Sequence, residues 1–216
     1  MRELPVNIAE AEKTPSPPAL PRKCGGGGYV ALRAFLSSCA CKLWPCKQKG
    51  TREEVHPLPE IRKATYADIL LLNRIAVGMQ GYKEKGYFER CLKERRVFIA
   101  GEAGYVQLNM RPNYDGFRSR NIPEVQDLAV LSEFRNRGIG RSLVAHCENI
   151  VREEGGTLLG LGVGLTHSFG PAQRLYVKMG YIPDGLGIAY DDVPARSGEM
   201  KPVDDLLTLK MVKFLT

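Results

Sequence analysis

The stretch from Val125 to Leu143 constrains this chain more than any other. An apolar strand-like run ends near Val130. A loop with Arg135, Arg137, Gly138, Gly140, Arg141 and Ser142 follows. Helical spacing then begins, with Leu143, Val144, Cys147, Ile150 and Val151 on one face. A strand that feeds a helix through a glycine-rich basic loop builds an anion site. The first N–H groups of the helix have no intrahelical partner, and the dipole favours negative charge there. Glycines let a phosphate approach the backbone, and arginines neutralise it. The pattern therefore predicts a pyrophosphate-binding turn. A Walker A loop is excluded because Gly-Lys-Ser/Thr is absent. A dinucleotide fingerprint fails because Leu143 stands where its third glycine belongs.

The surrounding pattern sets the fold class. Residues 58–63 read as a first strand, and Thr65-Tyr-Ala-Asp68 reads as a capping box opening a helix through Ile69, Leu72 and Ile75. A second helix is expected over 82–95. Strands over 97–100 and 105–109, joined at Gly101-Glu-Ala-Gly104, form a hairpin. A polar loop spans 111–121, and a strand 122–130. Helix 138–153, strand 157–163, helix 171–179 and a last strand 207–214 complete the pattern, with an acidic loop over 184–205. Helices alternating with strands around an early hairpin imply an α/β protein with a mixed sheet and helices on both faces.

Two motifs carry a family resemblance. Arg135-x-x-Gly138-x-Gly140 resembles the coenzyme A pyrophosphate loop of the GCN5-related N-acetyltransferases. One strand later, Ala172-x-x-Leu175-Tyr176-x-Lys178-x-Gly180-Tyr181 resembles the later helix of that superfamily. The resemblance covers residues 58–216. It implies a central, mostly antiparallel mixed sheet and acetyl transfer from acetyl-CoA, as co-substrate, to a primary amine of a small molecule or a protein. It implies that Leu128 and Val130 meet the pantetheine arm through their backbone, and that Arg135, Arg137, Gly138, Gly140, Arg141 and Ser142 hold the pyrophosphate. Tyr176 matches the tyrosine that protonates the leaving thiolate, and Glu124 the strand position of a glutamate base, with a water chain as the alternative. Phe169 departs from the family asparagine at that place.

Strand parity groups Glu124 with Gln126, Leu128 and Val130, and aims Asp127 at the opposite face. Acidic residues of the 184–205 loop suit a cationic acceptor. A non-catalytic acyl-CoA sensor on the same fold is the alternative function, and an interaction protein acting through its N-terminal extension is a third.

Composition bounds the partners. The 216 residues suit one domain over 55–216 plus an extension over 1–54 containing a Pro-rich run and Gly25 to Gly28. The net charge of +7 is spread along the chain, which argues against a nucleic-acid-binding stripe. No apolar run approaches the roughly 20 residues of a membrane span, so a cytoplasmic protein without membrane or nucleic-acid partners is expected, and a homodimer is compatible with it. Six cysteines include no C-x-x-C pair, so no metal site is expected. Cys91 and Cys147 fall on helical patterns as small buried apolar residues.

Overall fold

The computed structural model describes residues 57–79 and 83–215; the expected extension over 1–54 lies outside the described residues. Eight strands form one sheet: β1 (Ile61–Lys63), β2 (Arg96–Ala100), β3 (Gly104–Asn109), β4 (Glu124–Val130), β5 (Leu158–Gly164), β6 (Ile182–Tyr190), β7 (Val193–Pro194) and β8 (Leu207–Phe214). Their order across the sheet is β1-β2-β3-β4-β5-β8-β6-β7. Neighbours are antiparallel except β4 and β5. The helices are α1 (Ile69–Gly78), α2 (Tyr87–Glu94), α3 (Asp115–Arg118), α4 (Ile139–Glu153) and α5 (Gly170–Lys178). Among the described residues no helix is long and apolar enough to cross a membrane.

The mixed sheet with helices on both faces matches the expectation. On one face, Leu143, Val144, Cys147 and Val151 of α4 and Tyr176 of α5 pack on Val106, Leu108, Val125 and Leu161. On the other, Leu72, Ile75 and Ala76 of α1 and Phe88 and Cys91 of α2 pack on Val97, Ile99, Tyr105 and Ala129. Farther along this second face, Tyr114 and Phe117 cover Val212 and Ala189. Each face buries enough large apolar side chains to stabilise its helices, at about 1.5–3 kcal/mol for a full burial. Charge is buried where it is paired: Glu148 on α4 accepts from Lys213 Nζ of β8 at 2.8 and 2.7 Å.

The entry to α1 is the reciprocal box read from the sequence. Thr65 donates its N–H to Asp68 Oδ2 at 2.8 Å and its hydroxyl to the same oxygen at 3.0 Å. Arg62 adds a two-pronged pair to Asp68 at 2.9 and 2.6 Å. These donors hold the Asp68 carboxyl well below its ordinary value, Arg62 contributing most.

Three local expectations differ. The 111–121 loop contains α3. The second helix begins at Tyr87 rather than 82, because Gly86 at φ 82° caps it in the left-handed region. The 184–205 loop begins as strand β6, whose pattern is interrupted by Gly185 and Gly187, both at φ 85°, where its register with β8 shifts.

Candidate active site

The parallel ladder between β4 and β5 is short. It pairs Glu124 with Gly160 and Val125 with Leu161, yet β4 continues to Val130 and β5 to Gly164. The two strands therefore part beyond Val125. Leu131 donates its N–H to Ala103 O at 2.9 Å, so antiparallel alternation turns the N–H and C=O of Val130 away from β3 and toward the gap. An extended amide arm laid there finds backbone partners, as an added strand would.

A cavity of about 730 Å³ opens at this fork. Leu128 and Val130 of β4, Gly138, Gly140 and Arg141 at the start of α4, and Phe169, Ala172 and Leu175 around α5 line it. Gly138 caps α4 at φ 84°, a conformation that strains any residue with a Cβ. Arg135 also lines the cavity; its Nε donates to Val130 O at 3.1 Å. The free N–H groups of the first α4 turn, with Arg135 and Arg141, suit a pyrophosphate. The residues present thus fit a coenzyme with a phosphate end and an amide arm.

Of the eight expected coenzyme residues, six line the cavity and two do not. Arg137 lies 5.5 Å over the Phe134 ring, and Ser142 sits inside the helix, its N–H bonded to Gly138 O at 3.0 Å. Residues not foreseen include Gly78 and Met79 from the end of α1, Asn136, and Phe169. Phe169 takes its place because Gly164 lacks a side chain: a Cβ there would stand 2.4 Å from the ring. The alternating glycines of β5 were a signal for such close approach.

Tyr176 is buried behind this wall, edge-on to Tyr181 at 6.0 Å, and is not among the cavity-lining residues. Burial pushes its phenol up to about 12, so it stays protonated at neutral pH.

The opposite face of β4 is polar. Glu124 is 1% exposed. It accepts from Lys210 Nζ at 2.8 Å and from Gln126 Nε2 at 2.6 Å. Lys210 also donates to Asp192 Oδ1 at 2.5 Å. It crosses Gly162, whose missing side chain leaves the room: a Cβ there would lie 3.2 Å from Nζ. Burial raises the Glu124 carboxyl, and Lys210 opposes that rise.

The parity argument for β4 is corrected here. Asp127 has φ 50°, and the β3–β4 register slips between Tyr105↔Ala129 and Gln107↔Gln126. This bulge puts Gln126 and Asp127 on the same face. Leu128 and Val130 consequently pack with the α4 side, opposite Glu124. Asp127 shares the Glu124 face and accepts from Tyr87, Tyr105 and Gln107.

The acidic loop has partners both inside and outside itself, and Asp205 lines the cavity. Asp184 accepts from Tyr114 OH at 2.8 Å, Asp204 from Tyr190 OH at 2.9 Å, and Glu199 pairs with Lys201 at 2.7 Å.

Known proteins share this arrangement. The family described as acetyltransferase (GNAT) domain matches residues 93–183. The aminoalkylphosphonate N-acetyltransferase of Salmonella typhimurium is 30% identical over 142 residues, covering 60% of this chain and 89% of that protein. This chain belongs to the GCN5-related N-acetyltransferase superfamily. A second member, the uncharacterized N-acetyltransferase CT2212 of Chlorobaculum tepidum, is 36% identical over 98 residues, spanning 44% of this chain and 61% of its own length. The Salmonella typhimurium protein yncA, solved with its cofactor acetyl-CoA, superposes with a TM-score of 0.51 at 19% identity, over 74% of this chain and 95% of that one. The N-acetyltransferase fold is thus common to the group, and acetyl-CoA is the co-substrate.

Proposed function

We propose that the protein transfers an acetyl group from acetyl-CoA directly to a primary amine. The observation that carries this reading is the fork between β4 and β5, which turns the backbone N–H of Val130 toward a cavity headed by the α4 N-terminus. Acetyl-CoA supplies an activated thioester. Arg135, Arg141 and the N–H groups after Gly138 hold its phosphates. A backbone N–H near Val130 stabilises the oxyanion that develops on the carbonyl, an effect on the order of 3 kcal/mol.

Glu124 is the base in this scheme. Both its oxygens already hold donors, so proton removal runs through a water relay. Tyr176, kept protonated by burial, donates toward the leaving sulfur. The kinship with an aminoalkylphosphonate N-acetyltransferase supports a small amine as acceptor.

Free-thiol release from acetyl-CoA is measured across a panel of amines, including aminoalkylphosphonates, polyamines and lysine peptides. Amine-dependent release is the expected result. Tight binding of acetyl-CoA with no release for any amine favours the non-catalytic sensor, and no binding at all refutes the coenzyme site.

A further inference from the structure

Asp127 sits in a left-handed conformation on the β4 bulge, next in sequence to Leu128 of the coenzyme cavity. Its Oδ2 accepts three hydrogen bonds: Tyr87 OH at 2.9 Å, Tyr105 OH at 2.9 Å and Gln107 Nε2 at 3.0 Å. Burial raises both phenols, so they stay protonated and keep donating. The carboxylate is therefore held in one orientation. Its Oδ1 takes a different partner, the Lys83 ammonium, at 2.8 Å. The same ammonium lies 4.8 Å from the centroid of the Tyr87 ring. An oriented carboxylate beside an aromatic face is what recognises an alkylammonium.

We propose that Asp127 and the Tyr87 ring form a subsite for a primary alkylammonium, which Lys83 of the same chain fills and which the acceptor amine enters by displacing it.

Three observations make the displacement feasible. The Lys83 and Asp127 side chains are 25% and 21% exposed, so solvent reaches the pair. Lys83 also arrives on the α1–α2 connection, outside both helices. Met79, at the end of α1 and four positions before Lys83, lines the coenzyme cavity. The occupant defines the ligand: an unbranched alkyl chain ending in a primary ammonium, free or on a protein lysine.

The subsite stands by itself; its part in transfer rests on the transferase reading above. Binding of n-butylammonium chloride and of Nα-acetyl-lysine amide to the full chain is followed by calorimetry without acetyl-CoA. Lys83 acts as a tethered competitor, so Lys83→Ala tightens binding of at least one ligand about tenfold. Adding Asp127→Asn or Tyr87→Leu to Lys83→Ala abolishes the gain. Coenzyme A affinity equal to that of the unaltered chain verifies that each variant is folded. A preference for butylammonium assigns the subsite to small amines, and binding of the lysine amide alone assigns it to protein lysines. No tightening in Lys83→Ala overturns the proposal, as does a gain that survives both second substitutions. If amines bind as expected but no acetyl transfer occurs, the transferase reading fails and the subsite remains.

Discussion

The two faces of β4 are built by opposite means. Toward α4, a cavity is left open by a parting of strands, and it is furnished with backbone groups, glycines and exposed arginine side chains. Toward α2 and α3, the strand carries side chains already committed to one another: Glu124 to Lys210 and Gln126, Asp127 to Lys83, Tyr87, Tyr105 and Gln107. A cofactor shared by a whole superfamily is met by main chain and helix dipole, which depend little on residue identity. The network on the other face depends on every residue in it. On the acceptor subsite proposed at Asp127, acceptor choice is separated from coenzyme choice across a single strand, and substitutions on the two faces have separable consequences.

The largest expected effect tests the committed face. Lys210→Met leaves Glu124 buried without its cation, and loss of one partner of a buried pair costs about 3–5 kcal/mol. Chemical denaturation checks this. Burial already holds the Glu124 carboxyl above its ordinary 4.5, and removal of the opposing ammonium lifts it further. A carboxyl raised by folding adds stability below its unfolded value and loses it as pH rises through the folded one. The Lys210→Met deficit therefore widens upward from pH 4.5, and a deficit independent of pH contradicts the assignment to Glu124.

Next comes the chemistry. Tyr176→Phe lowers kcat by about a hundredfold or more and leaves the dissociation constant of coenzyme A unchanged. Steady-state kinetics and calorimetry separate the two. Unaltered turnover leaves Tyr176 as one more core residue beside Tyr181.

A somewhat smaller effect belongs to the open face. Arg135→Glu together with Arg141→Glu weakens coenzyme A about thirtyfold or more, since each exposed arginine contributes about 1 kcal/mol to its ion pair with the phosphates. Binding of n-butylammonium to the Lys83→Ala background stays as it was. If both affinities fall together, the faces are not independent.

The smallest lies away from both faces and calibrates them. Asp68→Ala removes the box at the start of α1 and costs about 1 kcal/mol. Asp68 is held below its ordinary 3.8, so its contribution is present above that value and lost as pH falls through the folded one. Melting temperatures of Asp68→Ala and the unaltered chain converge in acid.

The open face was legible because its function is local. Gly138, Gly140, Arg135 and Arg141 lie within seven consecutive residues, and one strand–turn–helix step positions all four. Arg137 and Ser142 show the limit: sequence neighbours at a helix start point in different directions, and Arg137 turned to Phe134. Phe169 shows another, since its place over Gly164 joins two motifs that had been read separately. Relative to Glu124, the parity reading failed at three residues, Asp127, Leu128 and Val130. Alternation along 124–130 assigns Asp127 to the wrong side, because nothing in Val-Gln-Asp-Leu announces a bulge. Asp is among the few side chains that tolerate a left-handed φ, and at 127 four side chains hold it there.

The sequence by itself thus determined the sheet-and-helix order, the glycine-rich basic turn before α4 and the superfamily, since each follows from periodicity or from contiguous motifs. Tertiary structure alone decided where β4 leaves β5, which face Asp127 takes, and that Lys210, 86 positions beyond Glu124, neutralises it. Those outcomes depend on contacts between segments far apart in the chain, and no local pattern encodes a partner that arrives from the far end of the sheet.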